Sequence, residues 1–124
     1  MNQSSIRIRR ALREDLPAIT AIYNYAVLHT TATMDTAPRL PETQEQWFES
    51  YDDEHPLLVA ELSEGKIIGW ACLSRWSVRQ GYKLTVENSV YVDPEFQKNG
   101  IGKSLLGELI RIAKNIGMHT IIAR

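Results

Sequence analysis

The spacing of apolar residues changes several times along the chain, and each change marks an element. Ile6 and Ile8 alternate with Arg7 and Arg9, which predicts a first strand with one solvated face. Leu16, Ile19, Ile22, Tyr23, Ala26 and Val27 then recur at helical spacing, with Asp15 placed as N-cap and Pro17 in the first turn. His29–Pro41 is rich in Thr and Pro and predicts a loop. Thr43 followed three residues later by Gln46 reads as a capping box, opening a short helix through Trp47, Phe48 and Tyr51. Two apolar runs, Leu57–Leu62 and Ile67–Leu73, flank Ser63-Glu64-Gly65-Lys66 and predict a β-hairpin. The polar stretch Ser74–Tyr82 predicts a loop.

Strict alternation returns after that loop. Leu84, Val86, Val90 and Val92 fall on one face of a strand, and Thr85, Glu87, Ser89 and Tyr91 on the other. Asn88 interrupts the apolar row, which predicts a bulge or a functional break in the ladder. Beyond Asp93-Pro94, the residues Ile101, Leu105, Leu106, Leu109, Ile112, Ala113 and Ile116 form a long helical stripe. Gly117 is placed to stop it, and Met118–Ala123 begins another strand. The order β-α-α-β-β-β-α-β predicts an α/β fold, with a mixed, mostly antiparallel sheet flanked by helices.

Composition narrows the function classes. A chain of 124 residues holds one domain and one core, and 44% apolar with 23% charged residues is ordinary for a soluble globule. The net charge of −1 supplies no basic field, so nucleic acid is not an expected partner, nor an anionic membrane. No run of about 18 apolar residues and no leader pattern is present, and a cytoplasmic location is the expectation. Cys72 has no second cysteine to pair with. His29, His55 and His119 are far apart, so surface or packing roles are expected and no metal site is.

Chemistry concentrates in Thr85–Ser104, T-V-E-N-S-V-Y-V-D-P-E-F-Q-K-N-G-I-G-K-S. A strand that delivers a Gly-containing turn onto a helix N-terminus aims backbone N–H groups at an anion, as at a phosphate. Gly102-Lys103-Ser104 matches the end of a P-loop, but the first glycine of that motif would fall on Gln97, and no later apolar strand ending in Asp is present to hold Mg²⁺. A helix start with no ligand is the remaining alternative.

Gln97-x-x-Gly100-x-Gly102 after V-Y-V and Asp-Pro resembles the acetyl-CoA signature of the GNAT superfamily of N-acetyltransferases. Thr33 in T-A-T-M-D-T, Trp76 in S-R-W-S-V-R, Tyr82 in G-Y-K, T-V-E-N-S-V-Y-V and G-M-H-T-I-I-A are similar to the phosphinothricin and methionine-sulfoximine acetyltransferase branch. The resemblance runs from Ile6 to Arg124. It implies a single N-acetyltransferase domain over residues 1–124, with acetyl-CoA as co-substrate, no metal, and a small amino-acid-like amine as acceptor.

By position, the resemblance assigns the pantetheine arm to backbone groups of Val90, Tyr91 and Val92. The pyrophosphate falls to Lys98, Asn99, Gly100, Ile101, Gly102 and Lys103. Glu87 becomes the general base, acting through a water, and Arg75, Arg79, Glu87, Asn88 and Ser89 face the acceptor. Relatives continue past this point with another helix and two strands, which carry an Asn that contacts CoA and a Tyr that protonates the leaving thiolate. The fold is therefore expected to be C-terminally incomplete, with an open edge along His119–Arg124. A truncated product, a covering partner chain and a rearranged dimer all fit that expectation, and a homodimer is the expected assembly. The competing functional reading is a truncated, catalytically weak module that binds CoA or self-associates.

Overall fold

A computed structural model describes residues 6–29, 41–75, 85–97, 100–118 and 120–123. Strand β1 (Ile6–Arg10) leads through a 3-10 turn into helix α1 (Leu16–His29), followed by α2 (Pro41–Glu49). Strands β2 (Leu57–Leu62), β3 (Ile67–Arg75) and β4 (Thr85–Val92) come next, then α3 (Ile101–Asn115) and β5 (Thr120–Ala123). The strands form one sheet in the order β1-β2-β3-β4-β5. The first three pairings are antiparallel. β4 and β5 are parallel, as the crossover through α3 requires.

Each face of the sheet is closed by the helical stripe the sequence supplies. On one face Ile101, Leu105, Leu109, Ile112 and Ala113 of α3 pack on Leu58, Ala60, Leu62, Ala71, Leu73 and Val86. On the other, Ile19, Ile22 and Tyr23 of α1 pack on Val59, Trp70 and Cys72, with Trp47, Phe48 and Tyr51 along the edge. The α3 face holds the short aliphatic residues and the α1 face the aromatics. α3 ends in a Schellman motif: Met118 N–H donates to Ala113 O at 2.9 Å and Gly117 N–H to Lys114 O at 3.3 Å. Gly117 sits at φ 82°, where a side chain would be strained.

The structure departs from the sequence reading in four places. α2 begins at Pro41, two residues before the expected capping box, so Thr43 lies inside the helix; a proline at the first helical position has no N–H to leave unpaired. β3 extends through Ser74 and Arg75, because pairing with Glu87 and Val86 carries the strand past its apolar run. Asn88 produces no bulge: β3–β4 register is continuous from Gly69 opposite Val92 to Arg75 opposite Val86. The irregularity falls in the hairpin, where Ala60 lies opposite Gly69 but Glu61 opposite Ile67, leaving Ile68 as the extra residue. Asp15, finally, does more than precede α1. Its carboxylate accepts from Leu12 N–H at 2.7 Å and pairs with Arg9. The expected loops at His29–Pro41 and Ser74–Tyr82 lie largely outside the described residues.

Candidate functional site

The segment between β4 and α3 is anchored before it reaches the helix. Asp93 N–H donates to Ile68 O at 2.8 Å. The Asp93 carboxylate accepts from Glu95 N–H at 2.9 Å, capping the 3-10 turn Pro94–Phe96. Lys66, in the β2–β3 turn, lies 5.2 Å above the Phe96 ring. Gly100 then adopts φ 77° and ψ 9°, a left-handed conformation that a non-glycine residue reaches only with strain, and α3 starts from it.

Among the described residues no side chain caps α3. The Gly100 carbonyl accepts the Ser104 N–H at 3.0 Å. The N–H groups of Ile101, Gly102 and Lys103 precede that bond and project from the helix end, where the aligned peptide dipoles favour an anion. Gly102 tests whether this end fits a ligand. Among the described residues, a Cβ added there would meet only Val92 Cγ2 at 3.6 Å and Val90 Cγ1 at 3.7 Å, ordinary contact distances. Gly102 is also not among the positive-φ glycines. No described neighbour demands a glycine at 102, whereas close approach of a phosphate to the backbone does.

The other expected residues divide between the two sheet faces. Val90 and Val92 pack on the α3 side, and the Ile101 side chain is buried there, which leaves its backbone for a ligand. Asn88 is also in this row, 8% exposed, and its Oδ1 has no hydrogen-bond partner among the described residues. Glu87, Ser89 and Tyr91 alternate onto the α1–α2 side. Asn88 is thus separated by the sheet from the Glu87 and Ser89 side chains with which it was grouped. Lys103 is exposed. Arg75 closes β3 opposite Val86; its side chain, and Lys98, Asn99 and Arg79, lie outside the described residues, as do Thr33, Trp76 and Tyr82.

On the Glu87 face, three cross-strand pairs run from aromatic to polar: Trp70–Tyr91, Cys72–Ser89 and Ser74–Glu87. Trp70 and Tyr91 stack with centroids 4.9 Å apart, and Tyr23 and Trp47 meet this pair edge-on or tilted. At the polar end the Tyr51 hydroxyl lies 2.8 Å from Ser74 Oγ and 3.2 Å from Cys72 Sγ. Sequence alone missed Tyr51 and Ser74. The alternation of Trp70, Cys72 and Ser74 carried the signal, but their register against β4 is a tertiary fact.

Ionic contacts elsewhere are structural. Arg9 bridges Asp15 at 2.8 Å and Glu61 at 3.1 Å. Burial works to raise the Asp15 pKa, but bonds from Arg9 and the Leu12 N–H outweigh it and hold the carboxyl below its usual range. These groups line a cavity of about 700 Å³ between α1 and the β2–β3 turn, which neither Glu87 nor Gly100–Lys103 lines. His55 is buried, with Nδ1 2.9 Å from Asp52 Oδ1, a packing role. Among the described residues no group of three or more His, Cys, Asp or Glu could hold a metal, and no helix is long and apolar enough to cross a membrane.

Comparison with known proteins agrees with this architecture. Residues 19–124 match the acetyltransferase (GNAT) family. An L-methionine sulfoximine/L-methionine sulfone acetyltransferase of Salmonella typhimurium is 42% identical over 122 residues, covering 94% of this chain and 68% of that protein. A phosphinothricin N-acetyltransferase of Streptomyces viridochromogenes is 32% identical over 118 residues, covering 95% and 64%. The crystal structure of a GNAT superfamily phosphinothricin acetyltransferase from Sinorhizobium meliloti, in complex with acetyl-CoA, superposes with a TM-score of 0.91. It is 34% identical, over 96% of this chain and 65% of that one. With the sheet order, the Gly100–Lys103 helix start and these likenesses in agreement, the chain belongs to the GNAT family of acetyltransferases.

Proposed function

We propose that the chain moves an acetyl group from acetyl-CoA to the amine of a small amino-acid-like acceptor, of the phosphinothricin or methionine sulfoximine type. The observation that carries this reading is the α3 start, which no described side chain caps, with a glycine at 102 that no described neighbour requires. Backbone N–H groups of Lys98 to Lys103 hold the pyrophosphate, and Val90, Tyr91 and Val92 line the pantetheine arm. Bound acetyl-CoA supplies a thioester whose acyl carbon is open to attack.

Glu87 does the proton work. An amine acceptor is ammonium at neutral pH and must lose a proton before its lone pair can form the C–N bond. Glu87 is half-buried on the face of β4 that α1 and α2 cover, and takes that proton through a water. As the C–N bond forms the C–S bond breaks, and the departing sulfur takes up a proton. A backbone N–H of β4 faces the carbonyl oxygen as it gains charge. Ser89 shares the Glu87 face and contacts the acceptor, while Arg75 and Arg79 recognise its carboxylate.

Residues 1–124 are read as belonging to a single N-acetyltransferase domain that acts in the cytoplasm as a homodimer. Sedimentation equilibrium returning a monomer mass removes the dimer.

Calorimetry with acetyl-CoA, followed by thiol release with methionine sulfoximine and phosphinothricin, tests the reaction. Heat without turnover supports a binding module instead, and no heat removes the site. Glu87→Gln is expected to keep acetyl-CoA affinity and lower turnover about 100-fold. Unchanged turnover takes the base role from Glu87.

A further inference from the structure

We propose that the cavity between the start of α1 and α2 is a second small-molecule site, where the buried Gln44 recognises an uncharged ligand with a carboxamide-type edge. The cavity holds about 470 Å³, within the range that takes a small ligand. Leu16, Pro17 and Thr20 of α1 form one wall, Gln44 and Glu45 of α2 face them, and Arg13 lies at the rim. Neither Glu87 nor Gly100–Lys103 lines it, so it stands apart from the proposed acetyl-transfer site.

Gln44 makes this cavity more than a gap between helices. The residue is 4% exposed, and neither its Nε2 nor its Oε1 has a hydrogen-bond partner among the described residues. A buried amide left unpaired at both ends destabilises a fold, and buried polar groups are as a rule bonded. A leucine would fill similar space without that cost. The amide instead lines an open volume, where a ligand completes it.

The donor and acceptor inventory fixes the ligand class. Nε2 donates and Oε1 accepts, side by side on one planar group. A ligand C=O and N–H set side by side meet both at once, as in a primary carboxamide, a lactam or a nucleobase edge. Turning the Gln44 amide over swaps its two atoms and asks for the same edge. A carboxylate only accepts and would set its charge against Oε1, while an ammonium only donates and leaves Nε2 unpaired. The rim agrees with an uncharged ligand. Arg13 pairs with Glu45 and lies 3.6 Å from Glu49, so its cation is already engaged by α2. Leu16 and Pro17 give water little to bond, and a ligand with an apolar body displaces such water at a gain.

Titration of the ¹⁵N-labelled chain tests the proposal. Benzamide, the lactam pyrrolidinone and uracil are the probes, with benzoate and benzylamine as charged controls. The Gln44 side-chain NH₂ pair is expected to shift saturably with benzamide if the edge is a primary carboxamide. It shifts with pyrrolidinone or uracil if the edge is a lactam or a base. Both charged controls should bind at least about ten-fold more weakly than the probe that fits. Gln44→Leu keeps the apolar wall and removes both partners, so affinity read at the Thr20 backbone N–H should also fall about ten-fold or more. The wild-type titration stands by itself where that variant does not fold. No saturable shift with any of the three probes overturns the proposal, the amide then being completed by water alone. Equal binding of benzamide, benzoate and benzylamine overturns it too, since an apolar cavity suffices for that, and so does undiminished affinity in Gln44→Leu.

Discussion

At the scale of single residues, two carboxylates on the same side of the sheet are read as having different work. Asp15 is 6% exposed and fixed by the Arg9 guanidinium and a backbone N–H, so it serves the fold. Glu87 is half-buried, with Ser74 opposite it and Ser89 on the same face, and carries the proposed base role. The Asp15 carboxyl is depressed in the folded state, so its contribution is fully present above the unfolded value, about 3.9. It is lost as pH falls from there toward the folded value. Denaturant titrations at pH 6 and pH 3 should therefore show a larger acid loss for wild type than for Asp15→Asn. Equal losses would mean the Arg9 contact stabilises nothing. Arg9→Met leaves a buried carboxylate without its cation, and should cost about 3 kcal/mol at pH 7.

At the scale of elements, α3 separates glycines that serve the backbone from one that serves a ligand. Gly100 stands at φ 77°, so Gly100→Ala should destabilise by about 1 kcal/mol. Gly102 and Gly107 are helical, and a methyl group meets ordinary contacts at 102 and open space at 107. Both alanine variants should raise unfolding free energy by about 0.5–1 kcal/mol, the helix-propensity difference. They part on binding: Gly107→Ala keeps acetyl-CoA affinity, while Gly102→Ala weakens it, as calorimetry can read. If Gly102→Ala binds as wild type, the helix start does not cradle the pyrophosphate. This element was also where the sequence was most legible. Its stripe of Ile101, Leu105, Leu109, Ile112 and Ala113 is buried as spaced, and Gly117 stops it as placed. Such features are local, fixed by a period of 3.6 and by one positive φ. Asn88 was misread because the sequence shows a polar residue in an apolar row, but only the β3 register decides between a bulge and a buried amide. Tyr51 stayed out of sight for a related reason: it meets Ser74 across 23 residues, a distance no periodicity encodes.

At the scale of the whole molecule, the sheet keeps the two halves of the proposed chemistry on different supports. The anion-facing helix start belongs to the aliphatic α3 layer, and Glu87 belongs to the aromatic α1–α2 layer. β4 contributes to both, as β2 and β3 do, through Val90 and Val92 on one side and Glu87, Ser89 and Tyr91 on the other. Substitutions in the two layers should then be separable by ligand-induced stabilisation, which reads binding to the folded state and ignores turnover. Acetyl-CoA at 100-fold excess over Kd should add about 2.7 kcal/mol, a rise in Tm of roughly 8–12 °C for a chain this size. Glu87→Gln and Ser74→Ala should show the full rise, since neither touches the α3 layer. Gly102→Ala should show a smaller rise from a higher starting Tm, because the same methyl group favours the helix and obstructs the anion. A reduced rise in Glu87→Gln would mean that the layers are coupled through β4, and that Glu87 helps to hold the donor as well as to prepare the acceptor.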